Sequence, residues 1–213
     1  DALDIDIQRT THMILRPNAE VVQIHDRRMT HGSLLRGREL REGWRRVIRR
    51  EVLNDRVGKG SGVLVGPSRK VVLRFFKDAE YDFDGLPDDE ISRRMLETPL
   101  HGAHWLWFGG RALGTNRYRD FSTVITIGRE ELPVAELEEL GRALWGDRAG
   151  ADLEFVEPGE DGALRLPEKE VLYEMSDQSA AAVRVPCHPD PLIRRVQFQS
   201  RELATRQLVE RLR

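Results

Sequence analysis

Hydrophobic and polar positions alternate along the chain between two periods, one that suits short buried strands and one that suits amphipathic helices. "AEVVQIHD" (19–26) is a short apolar run ending in polar residues and predicts a first strand. "LLRGRELREGWRRVIRREVL" follows, with Leu40, Trp44, Val47, Ile48 and Val52 at helical spacing and Arg on the other faces. The Gly-rich "GKGSG" leads into "VLVG" (63–66), a second strand, and "PSRKVVLRFF" predicts a helix with Pro67 in its first turn. After the acidic loop "DAEYDFDGLPDDE" come a short helix, "ISRRMLE", a strand at "AHWLWF" (103–108) and another at "STVITIG" (122–128). "LPVAELEELGRALWG" is an amphipathic helix.

Strand–helix alternation implies crossover connections and a mostly parallel sheet with helices on both faces, an α/β fold of three layers. The segment from about 147 to 186 breaks the rhythm. "ALRLPEKEVLYEM" and "AAAVRVP" flank "SDQS" and predict an antiparallel hairpin inserted into a single domain spanning residues 1–213. The last 24 residues begin with Asp190 as N-cap and Pro191 at the first helical position, and predict a long helix. The chain opens without Met and stops within that helix, as expected of a piece of a longer polypeptide.

In parallel α/β sheets ligands bind beyond the carboxyl ends of the strands. The loop from Gly109 to Phe121 leaves such an end, so the sequence puts it on the functional edge. Gly109, Gly110 and Gly114 permit close backbone approach, Asn116 and Asp120 offer acceptors, and Arg111, Arg117 and Arg119 offer charged donors. On the terminal helix Gln207 and Arg211 lie one turn apart beside the apolar pair Leu208 and Leu212.

These two stretches resemble the C-terminal RecA-like lobe of superfamily 2 helicases. That family has a motif of the type A-R-G-x-D ahead of a β-branched strand, and "ALGTNRYRDFSTVITIG" is similar to it. Gly114 matches the glycine and Asn116 stands where the family often has Asp. The family closes with a helix bearing Q-x-x-G-R-x-x-R. "RQLVERLR" resembles it in Gln207 and Arg211, while Glu210 replaces the glycine and Arg213 falls one position early. The pairing of the two segments is most similar to divergent helicase-like proteins of phages, plasmids and their bacterial hosts.

The resemblance implies a P-loop NTPase-type fold acting with an N-terminal lobe that this chain lacks, with ATP and Mg²⁺ held mainly by that lobe. Arg211 would then be an arginine finger, a device worth ~10³ to 10⁵ in rate, and Gln207 would orient phosphate or water. Gly114, Asn116 and Arg213 would border the nucleotide. Thr115, Arg117 and Arg111 would grip a nucleic-acid backbone, DNA ahead of RNA. The other function class in play is a RecA-like module that has lost ATP chemistry and only binds protein or nucleic acid, toward which Glu210 leans.

Composition adjusts this picture in few places. A net charge of -2 predicts no basic coat. Four of the 34 basic residues are Lys, which leaves 30 Arg. The Arg-rich helix carries Glu39, Glu42 and Glu51 at spacings that favour pairing on a solvated face. The single Cys187 excludes an internal disulfide and fits a reducing cytoplasm, and no apolar run reaches the ~20 residues of a membrane span. "RVGKGSGVLVG" holds Gly58, Lys59 and Ser61 in the wrong order for a phosphate loop and precedes a strand. His101 and His104, with Cys187, His188 and Asp190, have metal-ligating side chains without a spacing that converges three of them. A small metal-dependent hydrolase is therefore the third and weakest class.

Overall fold

The structure, a computed structural model, describes residues 29–108, 117–147, 152–174 and 180–209. The predicted strand at 19–26, the hairpin turn and the segment from Gly109 to Asn116 lie outside the described residues. The chain divides into two compact units, one built on Asn18–Glu130 and one on Glu131–Glu202.

The first unit opens with helix α1 (His31–Arg36), whose N-terminus is capped by Thr30 accepting from the Ser33 amide. Helix α2 (Arg38–Val57) follows after a break at Gly37. Gly37 takes extended backbone, and a Cβ there would sit 2.8 Å from the Ser33 carbonyl, so the continuous helix expected from the sequence bends at this point. The buried face of α2 is Arg41, Trp44, Ile48 and Val52. Arg41 is buried there although charged, beside Leu40, which is partly buried against the same core.

Strand β1 (Val63–Gly66) is buried throughout and lies between β2 (His104–Trp105) and β3 (Thr123–Thr126), both parallel to it, in the order β2-β1-β3. Helices α3 (Arg69–Asp78) and α4 (Asp88–Glu97) carry the chain from β1 to β2. Backbone bonds continue past the short β2: Leu106 N donates to Val65 O at 2.9 Å and Phe108 N to Pro67 O at 3.2 Å. Val63, Val65 and Trp105 pack with Trp44, Ile48, Val71, Phe75 and Phe76 from the helices, while Leu64, Leu106, Phe108 and Tyr118 close the other face. Trp105 and Trp107, two residues apart, both sit in the helix-side core.

The second unit holds helix α5 (Val134–Trp145), the antiparallel hairpin β4 (Glu168–Glu174) and β5 (Ala180–Pro186), and helix α6 (Pro191–Val209) as far as Glu202. The hairpin pairs Glu168 with Pro186 through Glu174 with Ala180. Leu137 and Trp145 of α5 pack on Ile193 and Val196 of α6. Contact is close because α5 has Gly141 there: a Cβ would stand 2.6 Å from Ile193 Cγ1. Asp190 caps α6 as predicted, Oδ1 accepting from Leu192 N at 2.8 Å and Ile193 N at 2.9 Å. No helix among the described residues is long and apolar enough to cross a membrane.

Candidate functional site

The central strand β1 sends its chain to β2 on one side, and β3 then returns on the other. Connections that part in opposite directions open a crevice at the carboxyl edge, the usual ligand position in such sheets. The turn there is Gly66-Pro67-Ser68. Ser68 holds the N-cap position of α3 with φ -71° and ψ 153°, and its carbonyl accepts from Val71 N and Val72 N, both at 3.0 Å. Its side chain makes no cap bond. Instead Ser68 Oγ lies 2.8 Å from Nδ1 of His31, the first residue of α1.

Burial, and secondarily the charge of Lys70, hold His31 below the ordinary imidazole range, so it is neutral at neutral pH. Lys70 is exposed in the first turn of α3. Arg69 beside it is tied down: it bonds Asp88 Oδ1 at 2.6 Å and Ser92 Oγ at 3.0 Å, and its guanidinium lies 6.0 Å from the Trp107 ring centre. A helix N-terminus, a serine hydroxyl and an exposed ammonium at one edge form an arrangement suited to a phosphate or carboxylate. Gly128, two residues past the end of β3, has φ +74°, and a Cβ there would lie 3.1 Å from the Met29 carbonyl.

The loop expected on this edge does not stay there. It leaves β2 at Phe108, which is bonded to Pro67 on the carboxyl side, but must enter β3 at its amino end because the strands are parallel. By Asp120 it has crossed over. Ser61 Oγ donates to the Asp120 carbonyl, and Ser122 Oγ bonds the Asp55 carboxylate, both on the amino side of β1. Asp120 is therefore removed from the carboxyl-edge site that the sequence assigned to it. Tyr118 is buried on the way, with Arg117 exposed and its guanidinium 5.8 Å from the Tyr118 ring centre.

The remaining predicted site residues are placed as follows. Arg111, Gly114, Thr115 and Asn116 lie outside the described residues, as do Arg211 and Arg213. Gln207 falls on α6, two residues before its end at Val209. The "GKGSG" segment is not a phosphate cradle: the amides of Gly58, Lys59 and Gly60 donate to Asn54, Arg56 and Asp55 carbonyls at the end of α2. It is also less free than the flexible connection its composition suggests.

Among the described residues no group of three His, Cys, Asp or Glu side chains converges to hold a metal. His188 is fully buried and structural. Its Nδ1 accepts from Asp190 N at 3.2 Å, its Nε2 faces Glu138 Oε1 at 3.6 Å, and its amide donates to Gln197 Oε1 at 2.9 Å. His101 occupies a turn with φ +57°. The residues missed in the sequence are His31 and Ser68; the signal was the string "VGPSRK", a strand, a turn and the basic start of a helix. Compared with protein-family models, curated proteins and solved structures, the chain matches none.

Proposed function

We propose that the chain is the second, RecA-like lobe of an ATP-dependent nucleic-acid translocase working in the cytoplasm. The observation that carries this reading is the bond from Phe108 N to Pro67 O. It holds Phe108, the last described residue ahead of the helicase-like motif, at the edge where Ser68, Lys70 and the N-terminus of α3 gather. Phosphate contacts at such an edge read backbone and not sequence. The three parallel strands and their order support the same reading.

The described residues offer no Mg²⁺ ligand cluster, and the amides of the glycine segment are engaged. On this reading ATP and Mg²⁺ would be held mainly by a preceding lobe, across a shared boundary. Bound there, ATP supplies the free energy of γ-phosphate release. On this side Arg211 would neutralise charge on the γ-phosphate, Gln207 would orient an oxygen, and Gly114, Asn116 and Arg213 would border the nucleotide. Arg111, Thr115 and Arg117 would hold the strand, DNA ahead of RNA.

The test is nucleic-acid-stimulated ATP hydrolysis by the complete polypeptide, with and without Arg211→Ala. Loss of an arginine finger lowers the rate by about 10³-fold or more; an unchanged rate removes that role. Glu210 in place of the motif glycine favours a second reading, a RecA-like module that binds nucleic acid or protein without turnover. Strand binding with no stimulated hydrolysis selects it.

A further inference from the structure

We propose that the chain self-associates head to tail, the outward face of α2 in one copy docking on the acidic loop between α3 and α4 of the next. Spacing builds the face. Arg46, Arg49, Leu53, Arg56 and Val57 share one side of the helix, opposite the buried Trp44, Ile48 and Val52. All are exposed, Leu53 by 60% and Val57 by 85%.

The sequence expects glutamates along α2 to neutralise this face, but two of them are engaged elsewhere. Glu42 pairs with Arg45 at 2.5 Å and Glu51 with Arg50 at 2.9 Å. Arg46, Arg49 and Arg56 have no carboxylate within ion-pair distance among the described residues. The aliphatic side chains between them set the face apart from a phosphate-binding one. A nucleic-acid backbone would neutralise the guanidinium groups and leave Leu53 and Val57 wet, whereas a protein surface covers both.

The chain carries the complement. Between α3 and the first turn of α4, Glu80, Asp82, Asp84 and Asp89 are exposed and without an ion pair among the described residues. Tyr81 beside them is 40% exposed and held in place, its ring 5.1 Å from Phe76 and 6.4 Å from Phe83 between centroids. Arg and Tyr are the side chains that most often carry binding energy at protein contacts, and opposed potentials favour the encounter.

Within one chain no ion pair among the described residues joins the two patches. Arg41 bonds Asp78 and so fixes the start of the loop beside the amino half of α2. Arg56 lies 15 residues further on, roughly 22 Å along the helix. A face and its complement at separate places on one molecule make a heterologous contact, which builds a ring or a filament and not a twofold dimer.

Self-association does not rest on the motor reading. The experiment is sedimentation velocity on the full chain, over a concentration series at about 0.01 M and about 1 M salt, where charges reach roughly 30 Å and 3 Å. Species larger than a monomer are expected at low salt, growing with concentration, and monomer at high salt. Arg46→Gln with Arg49→Gln, and separately Asp82→Asn with Asp84→Asn, should each be monomeric; all four positions are exposed, and thermal unfolding at the parent temperature checks the fold. Mixed in equal amounts, the two variants should form a one-to-one pair and nothing larger, because only one parental contact remains between them. Leu53→Ser, which leaves every charge in place, should weaken association several-fold. A parent chain that is monomeric at low salt up to its solubility limit, or assembly undiminished in either double variant, overturns the proposal. If the monomeric chain instead binds a short oligothymidylate or a polyglutamate peptide through Arg46 and Arg49, the face belongs to that partner and self-association is overturned.

Discussion

Arg41 Nε lies 2.5 Å from Asp78 Oδ2, and the pair joins α2 to α3 with the arginine 2% exposed. Arg41 Nη1 also donates to the Leu34 and Leu35 carbonyls at 2.7 and 2.9 Å, closing the open end of α1. Arg41→Leu therefore leaves two carbonyls unpaired and Asp78 with Arg74 alone, at 3.4 Å. Breaking a buried pair costs about 3–5 kcal/mol, and urea denaturation should show a loss in that range. Asp78→Asn should cost less, since Asp78 is partly exposed.

Gly141 lies on a helix, where alanine is ordinarily better by about 1 kcal/mol. Here the added methyl meets Ile193 Cγ1 at 2.6 Å and Cδ1 at 2.9 Å. Gly141→Ala should thus destabilise by about 1–3 kcal/mol. Ile193→Val in the same chain should recover part of it, and a double-mutant cycle by thermal unfolding measures the coupling.

Asp190 accepts from three amides, those of Leu192, Ile193 and Glu154. Asp190→Ala should cost about 2 kcal/mol, the upper end for a helix cap, because the Glu154 contact is lost as well. Asp190→Asn should retain most of the stability in the same chemical denaturation assay.

His101 is held at about 4, first by burial, then by the charges of Arg49 and Arg45, with Glu42 opposing. A folded-state value below the unfolded 6.5 means that the unfolded chain binds the proton more readily. Its stabilising contribution is complete above pH 6.5 and is lost as pH falls toward about 4. His101→Asn, which tolerates the positive φ, should flatten the fall in urea midpoint across that window. An unchanged slope assigns the acid sensitivity elsewhere.

Lys70 stands exposed at the start of α3 beside Ser68. If this edge holds a phosphate backbone, Lys70→Ala should weaken binding to all sequences alike. It should also reduce the slope of log affinity against log salt by about one. A slope identical to the parent protein places the backbone elsewhere.

Local chemistry was legible in the sequence and long-range pairing was not. The start of α6 follows from Asp190 and Pro191 alone, and the hairpin from two alternating runs about a short polar turn. Burial of Arg41 depends on Asp78, far along the chain, so an apolar-periodicity argument passes over it. The parallel sheet was inferred, and it already requires the chain to leave β2 at the carboxyl edge and enter β3 at the amino edge. The displacement of Asp120 was therefore legible, and was missed by reading the loop from its first residue alone. Ser68 and His31 meet for the same non-local reason as Arg41 and Asp78. Of the motif residues, Arg117 and the backbone position of Gln207 fall among those described.

The β4–β5 ribbon has consequences for solution behaviour. Leu172 is 69% exposed and Val183 41%, on a two-stranded ladder whose outer backbone groups pair with no third strand among the described residues. Such a ribbon is a template for polymerisation. Glu168, Lys169, Glu170 and Arg184 stud it with charge, so stacking a second copy in register would set like charges against one another. Exchanging Glu168 and Glu170 for threonine would lower that repulsion and leave Lys169 and Arg184 as the remaining guard against edge-to-edge pairing.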